Sequence, residues 1–136
     1  HTPDAVEKVL ASLRANTNSK LIAILGCGGN RDKSKRPLMG KALLSGSDIA
    51  IFTSDNPRDE DPEQILKEMT GSLKLSAPSA VISDRQSAIK YGVERAEAGD
   101  ILVILGKGHE TGQEIKGVKH AFSDQEVLQK CIEAKL

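Results

Sequence analysis

At 136 residues the chain has the length of a single domain with one core and is too short for two. Hydrophobic residues at 38 % and charged residues at 28 %, with no low-complexity tract, exclude a disordered chain. Lys plus Arg equals Asp plus Glu at 19 each and aromatic residues are 2 %, which removes a global attraction to nucleic acid or an anionic membrane surface, and a stacking platform for bases.

In chain order, Thr2 as N-cap and Pro3 at the first helical position predict a helix running through DAVEKVLASLRAN. A first strand follows at LIAIL (Leu21 to Leu25), then a helix over PLMGKALLSG and a second strand at IAIF (Ile49 to Phe52). DPEQILKEMTGSL reads as a helix, AVI (Ala80 to Ile82) as a third strand, and SDRQSAIKYGVERAEAGD as a helix with a Ser/Asp start and a Gly99 stop. The fourth strand is ILVIL (Ile101 to Leu105). QEIKGVKHAF predicts a short hairpin turning near Gly117, and SDQEVLQKCIEAK a terminal helix. The four apolar runs are short, β-branched and nearly continuous, as in parallel strands buried on both faces. The expected fold is therefore α/β: a doubly wound, mostly parallel sheet flanked by helices, with an antiparallel hairpin near the C-terminus and residues 1–136 as one domain.

In open α/β sheets, ligands sit beyond the carboxyl ends of the strands, so the loops after each apolar run are where chemistry is expected. GCGGNRDKSKRP follows the first strand. Gly26, Gly28 and Gly29 would let the backbone approach a phosphate, but Arg31 stands where a dinucleotide motif needs its third glycine, and no Gly-Lys-Ser/Thr occurs. Four cations within six residues, Arg31, Lys33, Lys35 and Arg36, suit a carboxylate or phosphate ligand; the alternative is a solvated basic loop beside a helix start.

TSDNPRDEDP follows the second strand. Pro57 fixes its own φ and restricts Asn56, so Asp55, Asn56 and Arg58 stand on a stiff turn. Arg58 can offer a planar fork to a carboxylate and Asp55 can accept from an ammonium. The alternative is that Arg58 neutralises Asp59, Glu60 and Asp61, although those acids already suit the dipole of the next helix. After the fourth strand, Gly106 and Gly108 of GKGHETG allow a tight turn carrying Lys107, His109 and Glu110; His109 suits a structural hydrogen bond better than catalysis. SDR after the third strand reads as an ordinary helix cap.

Cys27 and Cys131 read as free thiols. No apolar run approaches the roughly 20 residues of a spanning helix and no stretch resembles a secretory leader, so a cytoplasmic chain without membrane or nucleic-acid partners is expected. The chain begins at HTPD without a methionine and is expected to be cut from a longer protein.

HTPD, GCGGNRDKSKRP, DNPR and GKGHE, in this order and with these gaps, resemble the C-terminal domain of Mur ligases, most closely the MurE type that adds diaminopimelate. The resemblance spans essentially the whole chain. It implies a Rossmann-like domain that brings an amino acid to a central ATPase domain, where an ATP-derived acyl phosphate is attacked by the incoming amine in peptidoglycan synthesis. It further implies that Arg31 holds the carboxylate at the reacting end of meso-diaminopimelate. Asn56 and Arg58 would hold the distal carboxylate, with Asp55 and Pro57 shaping the turn, and Gly106 with Glu110 would take the distal ammonium. Lysine-adding relatives typically differ at the position of Arg58. His1 and Asn30 would lie near the nucleotide; the family often has Asp at the latter position, which changes the charge beside Arg31.

ATP and Mg2+ are the implied cofactors, held mainly by the central domain, and UDP-MurNAc-L-Ala-D-Glu the implied second substrate, bound through the other domains. No metal site is expected in this chain, and the piece alone is expected to be inactive. A non-catalytic module derived from such a ligase is the alternative.

Overall fold

Burial at the carboxyl ends of the strands is set by where each strand falls in the sheet. The computed structural model describes residues 2–29, 32–106, 112–115, 118–121 and 123–135, and within 112–121 the side chain of Gln113 alone. In chain order these form α1 (Pro3–Arg14), β1 (Leu21–Cys27), α2 (Arg36–Gly46), β2 (Ile49–Ser54), α3 (Pro62–Thr70) and β3 (Ala80–Val81). They continue as α4 (Arg85–Arg95), β4 (Ile101–Leu105), β5 (Gly112–Ile115), β6 (Val118–Ala121) and α5 (Asp124–Lys135).

The main sheet has the order β3-β2-β1-β4 and every pairing in it is parallel. Side chains of β1 and β2 alternate between two cores, as a period of two requires. Leu21, Ala23, Leu25, Ala50 and Phe52 face Leu10 of α1, Leu43 of α2 and Leu66 of α3. Ile22, Ile24, Ile49 and Ile51 face Ala88, Ile89 and Val93 of α4, with Val127 and Leu128 of α5 packed against them. Helices thus cover both faces. Phe52 is fully buried, and its truncation to Ala would cost about 3–5 kcal/mol in lost burial and cavity.

Within the main sheet, burial on both faces holds for β1 and β2 only. β3 is two residues long with Val81 43 % exposed, and β4 is half-buried throughout, because these two strands form the edges. The order, which the apolar pattern left open, puts β1 between β2 and β4.

Side-chain caps form at three helix starts, and at two of them, Thr2 and Asp84, on residues the sequence marked as caps. Thr2 Oγ1 accepts from the Ala5 amide at 3.1 Å with Pro3 behind it, Asp61 Oδ1 accepts from Glu63 N–H at 3.0 Å, and Asp84 Oδ2 from Ser87 N–H at 3.1 Å. One helix end is corrected. α4 stops at Arg95, not at Gly99: Ala96 is already extended, and Gly99 lies in the following turn with φ +91. Lys135 Nζ donates to the carbonyls of Val93, Glu94 and Ala96, so a side chain from α5 satisfies the end of α4 and no glycine cap is needed.

β5 and β6 pair antiparallel, Gly112 opposite Ala121 through Ile115 opposite Val118, as a two-stranded sheet separate from the main one. The expected turn near Gly117 lies outside the described residues.

Candidate functional site

The last residues of β1 and β2, Cys27 and Ser54, are register partners, so the loops leaving them run side by side. They touch through their backbones. Gly29 N–H donates to Asn56 O at 2.6 Å, and Arg58 Nη1 donates to Gly29 O at 2.9 Å and to Asn56 O at 3.3 Å. A Cβ on Gly29 would stand 1.8 Å from Pro57 O, and one on Gly26 would stand 2.6 Å from the Ser54 carbonyl carbon. Gly26 and Gly29 are therefore required by the approach of the second loop. The Gly29 amide, expected to be available to a phosphate, is occupied by Asn56.

Between these loops and the start of α2 lies a cavity of about 420 Å³. The end of β1 forms one wall, Lys35 and Arg36 a second, and Asp55, Asn56 and Arg58 a third. Asp55 and Asn56 are 3 % and 8 % exposed, unusual burial for polar side chains that do not stand in a sheet interior. Arg58 adopts φ +53, a left-handed conformation that a non-glycine residue holds at a cost of about 1–2 kcal/mol. The two carbonyl contacts of its guanidinium fasten it there.

Gln113, which the sequence reading passed over, supports the same turn. Its Nε2 donates to Ser54 Oγ at 2.9 Å and to Asp55 O at 2.7 Å, linking β5 to the end of β2.

The basic loop is less available to a ligand than its four cations imply. Arg36 is 2 % exposed; it grips Glu60 in two parallel bonds of 3.0 and 2.9 Å, reaches Glu68 at 3.0 Å, and donates to Gly28 O at 3.0 Å. The Glu60 hydrogen bond, with that of Glu68, raises the pKa of Arg36 further against the effect of burial. On Glu68, burial pushes upward and is outweighed by the hydrogen bonds from Arg36 and Gln64, so its carboxyl is held below the ordinary value. Arg36 is thus a structural hub, and Glu60, expected among the acids of the next helix start, is its main partner. Asp61 alone of the three acids is the N-cap of α3. Lys33 is largely exposed, 3.6 Å from Glu60, and Lys35 is the described lysine of this loop that lines the cavity.

Cys27 also borders the cavity, and burial pushes its thiol up to about 11, which leaves it protonated and a poor nucleophile near neutral pH.

A second buried arginine went unread because SDR looked like an ordinary cap. Asp84 is that cap, but Arg85 is 1 % exposed and holds Asp124 through Nε and Nη2, both at 2.7 Å. Its Nη1 donates to Ser54 O at 2.9 Å and its Nη2 to Leu105 O at 3.3 Å.

Of the residues singled out in the sequence, Asp55, Asn56, Pro57 and Arg58 come together on one stiff turn, three of them lining the cavity. Gly106, at φ +116, turns the chain at the end of β4, on the far side of β1 from that turn. Arg31, Glu110, His1 and Asn30 lie outside the described residues. Among the described residues no helix is long and apolar enough to cross a membrane, and no group of three or more His, Cys, Asp or Glu could hold a metal ion.

A parallel sheet covered on both faces, with a polar cavity where its strands end, is the build of an α/β small-ligand domain. The chain belongs to the Mur ligase family, whose C-terminal domain, described as "Mur ligase, glutamate ligase domain", matches residues 1–108. It is 51 % identical over 132 residues to UDP-N-acetylmuramoyl-L-alanyl-D-glutamate–2,6-diaminopimelate ligase of Aquifex aeolicus, covering 97 % of this chain and 27 % of that protein. It is 53 % identical over 137 residues to the ligase of the same name from Chlorobaculum tepidum, covering 96 % of this chain and 26 % of that one. A solved structure of a ligase of that name superposes with a TM-score of 0.93 at 50 % identity, covering 99 % of this chain and 28 % of that chain. The chain thus spans about a quarter of the length of the curated relatives it matches.

Proposed function

We propose that this chain is the amino-acid-binding domain of an ATP-dependent ligase that adds meso-diaminopimelate to UDP-MurNAc-L-Ala-D-Glu through an acyl phosphate in the cytoplasm. The supporting observation is the DNPR turn: Asp55, Asn56 and Arg58 together on one wall of a cavity, in a chain about 50 % identical to relatives named for this reaction.

Among the described residues no group of three or more His, Cys, Asp or Glu could hold a metal ion. By the resemblance, ATP and Mg2+ belong mainly to the remainder of such a ligase, of which this chain matches about a quarter. This domain's work is to bind and orient. Arg58 and Asn56 hold the distal carboxylate, Gly106 with Glu110 the distal ammonium, and Arg31 the carboxylate next to the reacting amine, so that the amine is presented in one direction; by the resemblance, His1 and Asn30 would lie near the nucleotide. Asp55 and Pro57 shape the turn that carries Arg58.

Selectivity follows from charge pairing. Lysine lacks the second carboxylate of diaminopimelate, so the charge-assisted bond that Arg58 would make to it is lost, at a cost of about 1.5–3 kcal/mol, or about 10-fold to 150-fold in affinity. Arg58→Ala in the full-length ligase should raise KM for diaminopimelate by this order while KM for ATP stays within about twofold. Equal loss toward ATP would contradict the role of Arg58, and a wild-type protein that turns over neither diaminopimelate nor lysine would leave the non-catalytic module as the better description.

A further inference from the structure

The two halves of the proposed amino-acid site are carried by strands that do not touch. The carboxylate half sits on the loop after β2, and Gly106 of the ammonium half at the end of β4, with β1 between them. Two strand spacings, about 10 Å, therefore separate their carboxyl ends. No backbone hydrogen bond can fix that separation directly.

Arg85 spans it. Its guanidinium donates to Ser54 O, one residue before Asp55, and to Leu105 O, one residue before Gly106. Asp124, 4 % exposed at the start of α5, locks the plane of the fork from behind with two bonds of 2.7 Å. A planar cation with its donors in fixed directions acts as a strut, which an ammonium on a flexible stem cannot. Gln113 adds a second tie on the β2 side through Ser54 Oγ and Asp55 O.

Resting on the functional reading above, we propose that Arg85 is a positioning residue that sets the spacing between the DNPR turn, which holds the carboxylate, and Gly106, assigned to the ammonium. It selects a ligand bearing both groups on one carbon without touching that ligand. Loosening the strut lets the loops drift, and a displacement near 1 Å is enough to cost about a hundredfold at a site built on fixed geometry. The loss falls on the ligand's distal head group. ATP, assigned to another part of the ligase, is spared.

The test uses the full-length ligase with Arg85→Met, Arg85→Lys and Asp124→Asn, reading KM for meso-diaminopimelate, KM for ATP, the ratio of kcat/KM for diaminopimelate over lysine, and Tm. Arg85→Met should raise KM for diaminopimelate about tenfold to a hundredfold, lower the diaminopimelate-over-lysine ratio in step, and leave KM for ATP within about twofold. Arg85→Lys keeps the buried charge opposite Asp124 and should regain much of the Tm but not the selectivity. Asp124→Asn leaves both carbonyl bonds in place and should lose less selectivity than either. If Arg85→Met does not fold, the other two variants decide. A wild-type selectivity ratio in Arg85→Lys, or equal losses for ATP and diaminopimelate, overturns the positioning role while leaving the functional reading intact. No turnover of diaminopimelate by the wild-type ligase removes both.

Discussion

Replacing Gly29 with alanine perturbs the contact between the two loops with a single methyl group. Its Cβ would lie 1.8 Å from Pro57 O, whereas real Cβ contacts essentially never fall below 3.0 Å, so one backbone must move by at least 1.2 Å. Relief by a side-chain rotation is unavailable because the obstructing atom is a carbonyl oxygen. Such a movement stretches Gly29 N–H to Asn56 O from 2.6 Å past hydrogen-bonding distance and disturbs the 2.9 Å bond from Arg58 Nη1 to Gly29 O. One neutral and one charge-assisted bond correspond to about 2–4 kcal/mol together. At roughly 4 °C per kcal/mol for a domain of this size, Tm should fall by about 8–16 °C.

The functional effect should exceed the effect on stability. The DNPR turn moves as a unit, and a shift above 1 Å in a ligand-holding turn corresponds to about a hundredfold in KM for diaminopimelate. Thermal denaturation of this chain and steady-state kinetics of the full-length ligase measure the two effects. Gly46→Ala is the control: its Cβ meets the Leu10 side chain at 2.7 Å, away from the cavity, so it should cost stability without changing KM. If Gly29→Ala retains wild-type Tm and KM, the loops are not held together by the close approach of Gly29 to Pro57. Equal KM increases in both variants would mean that general destabilisation, not displacement of the turn, governs binding.

Two further outcomes follow from buried groups beside the cavity. Arg36→Met removes the guanidinium shared by Glu60, Glu68 and Gly28 O and should cost about 3 kcal/mol, near the lower end for a buried pair because both carboxylates are partly exposed; the double variant Arg36→Met, Glu60→Gln should lose less, and an unchanged denaturant midpoint would contradict the hub. With the Cys27 thiol raised from 9.0 to about 11, its thiolate fraction below pH 9 is about a hundredth of an ordinary one, so iodoacetamide should label Cys131 first and Cys27 only as pH approaches 11. Mass spectrometry of timed labelling checks this, and faster labelling of Cys27 at pH 8 would refute it.

What could be read from the sequence divides by range. The apolar runs located every strand of the main sheet because parallel strands declare themselves by local composition, and Thr2 and Asp84 declared their helices because a cap acts within three residues. DNPR was legible for the same reason: proline restricts its immediate neighbours. The edge position of β3 and β4 was not, since burial on two faces or one depends on strand order. Arg36 and Arg85 were misread for a related reason. Their carboxylate partners lie 24 to 39 residues away, and nothing local separates a buried guanidinium from a solvated one. Gly29 was recognised as a residue needed for close approach, but the object approached was the neighbouring loop.

Counting cations in a loop overstates the charge available to a ligand in this kind of fold. Parallel strands end with carbonyls that a neighbouring strand does not always satisfy, and a buried carbonyl without a donor is costly. Here guanidinium groups meet that need: Arg36 donates to Gly28 O, Arg58 to Gly29 O and Asn56 O, and Arg85 to Ser54 O and Leu105 O. Arginine suits the task because its donors point in several fixed directions and it stays charged when buried. The same property lets it tie separate strand ends together. An arginine after a strand in such a domain therefore has two competing uses, and what separates them here is burial: Arg36 and Arg85 are 2 % and 1 % exposed, whereas Arg58 is half-buried. Arg36 and Arg85 each grip a carboxylate of the chain itself, at Glu60 and Asp124, and so belong to the framework. Arg58 stands on a turn that borders the cavity, fastened through carbonyls, and this placement makes it the residue whose removal should change which amino acid is accepted more than whether the domain folds.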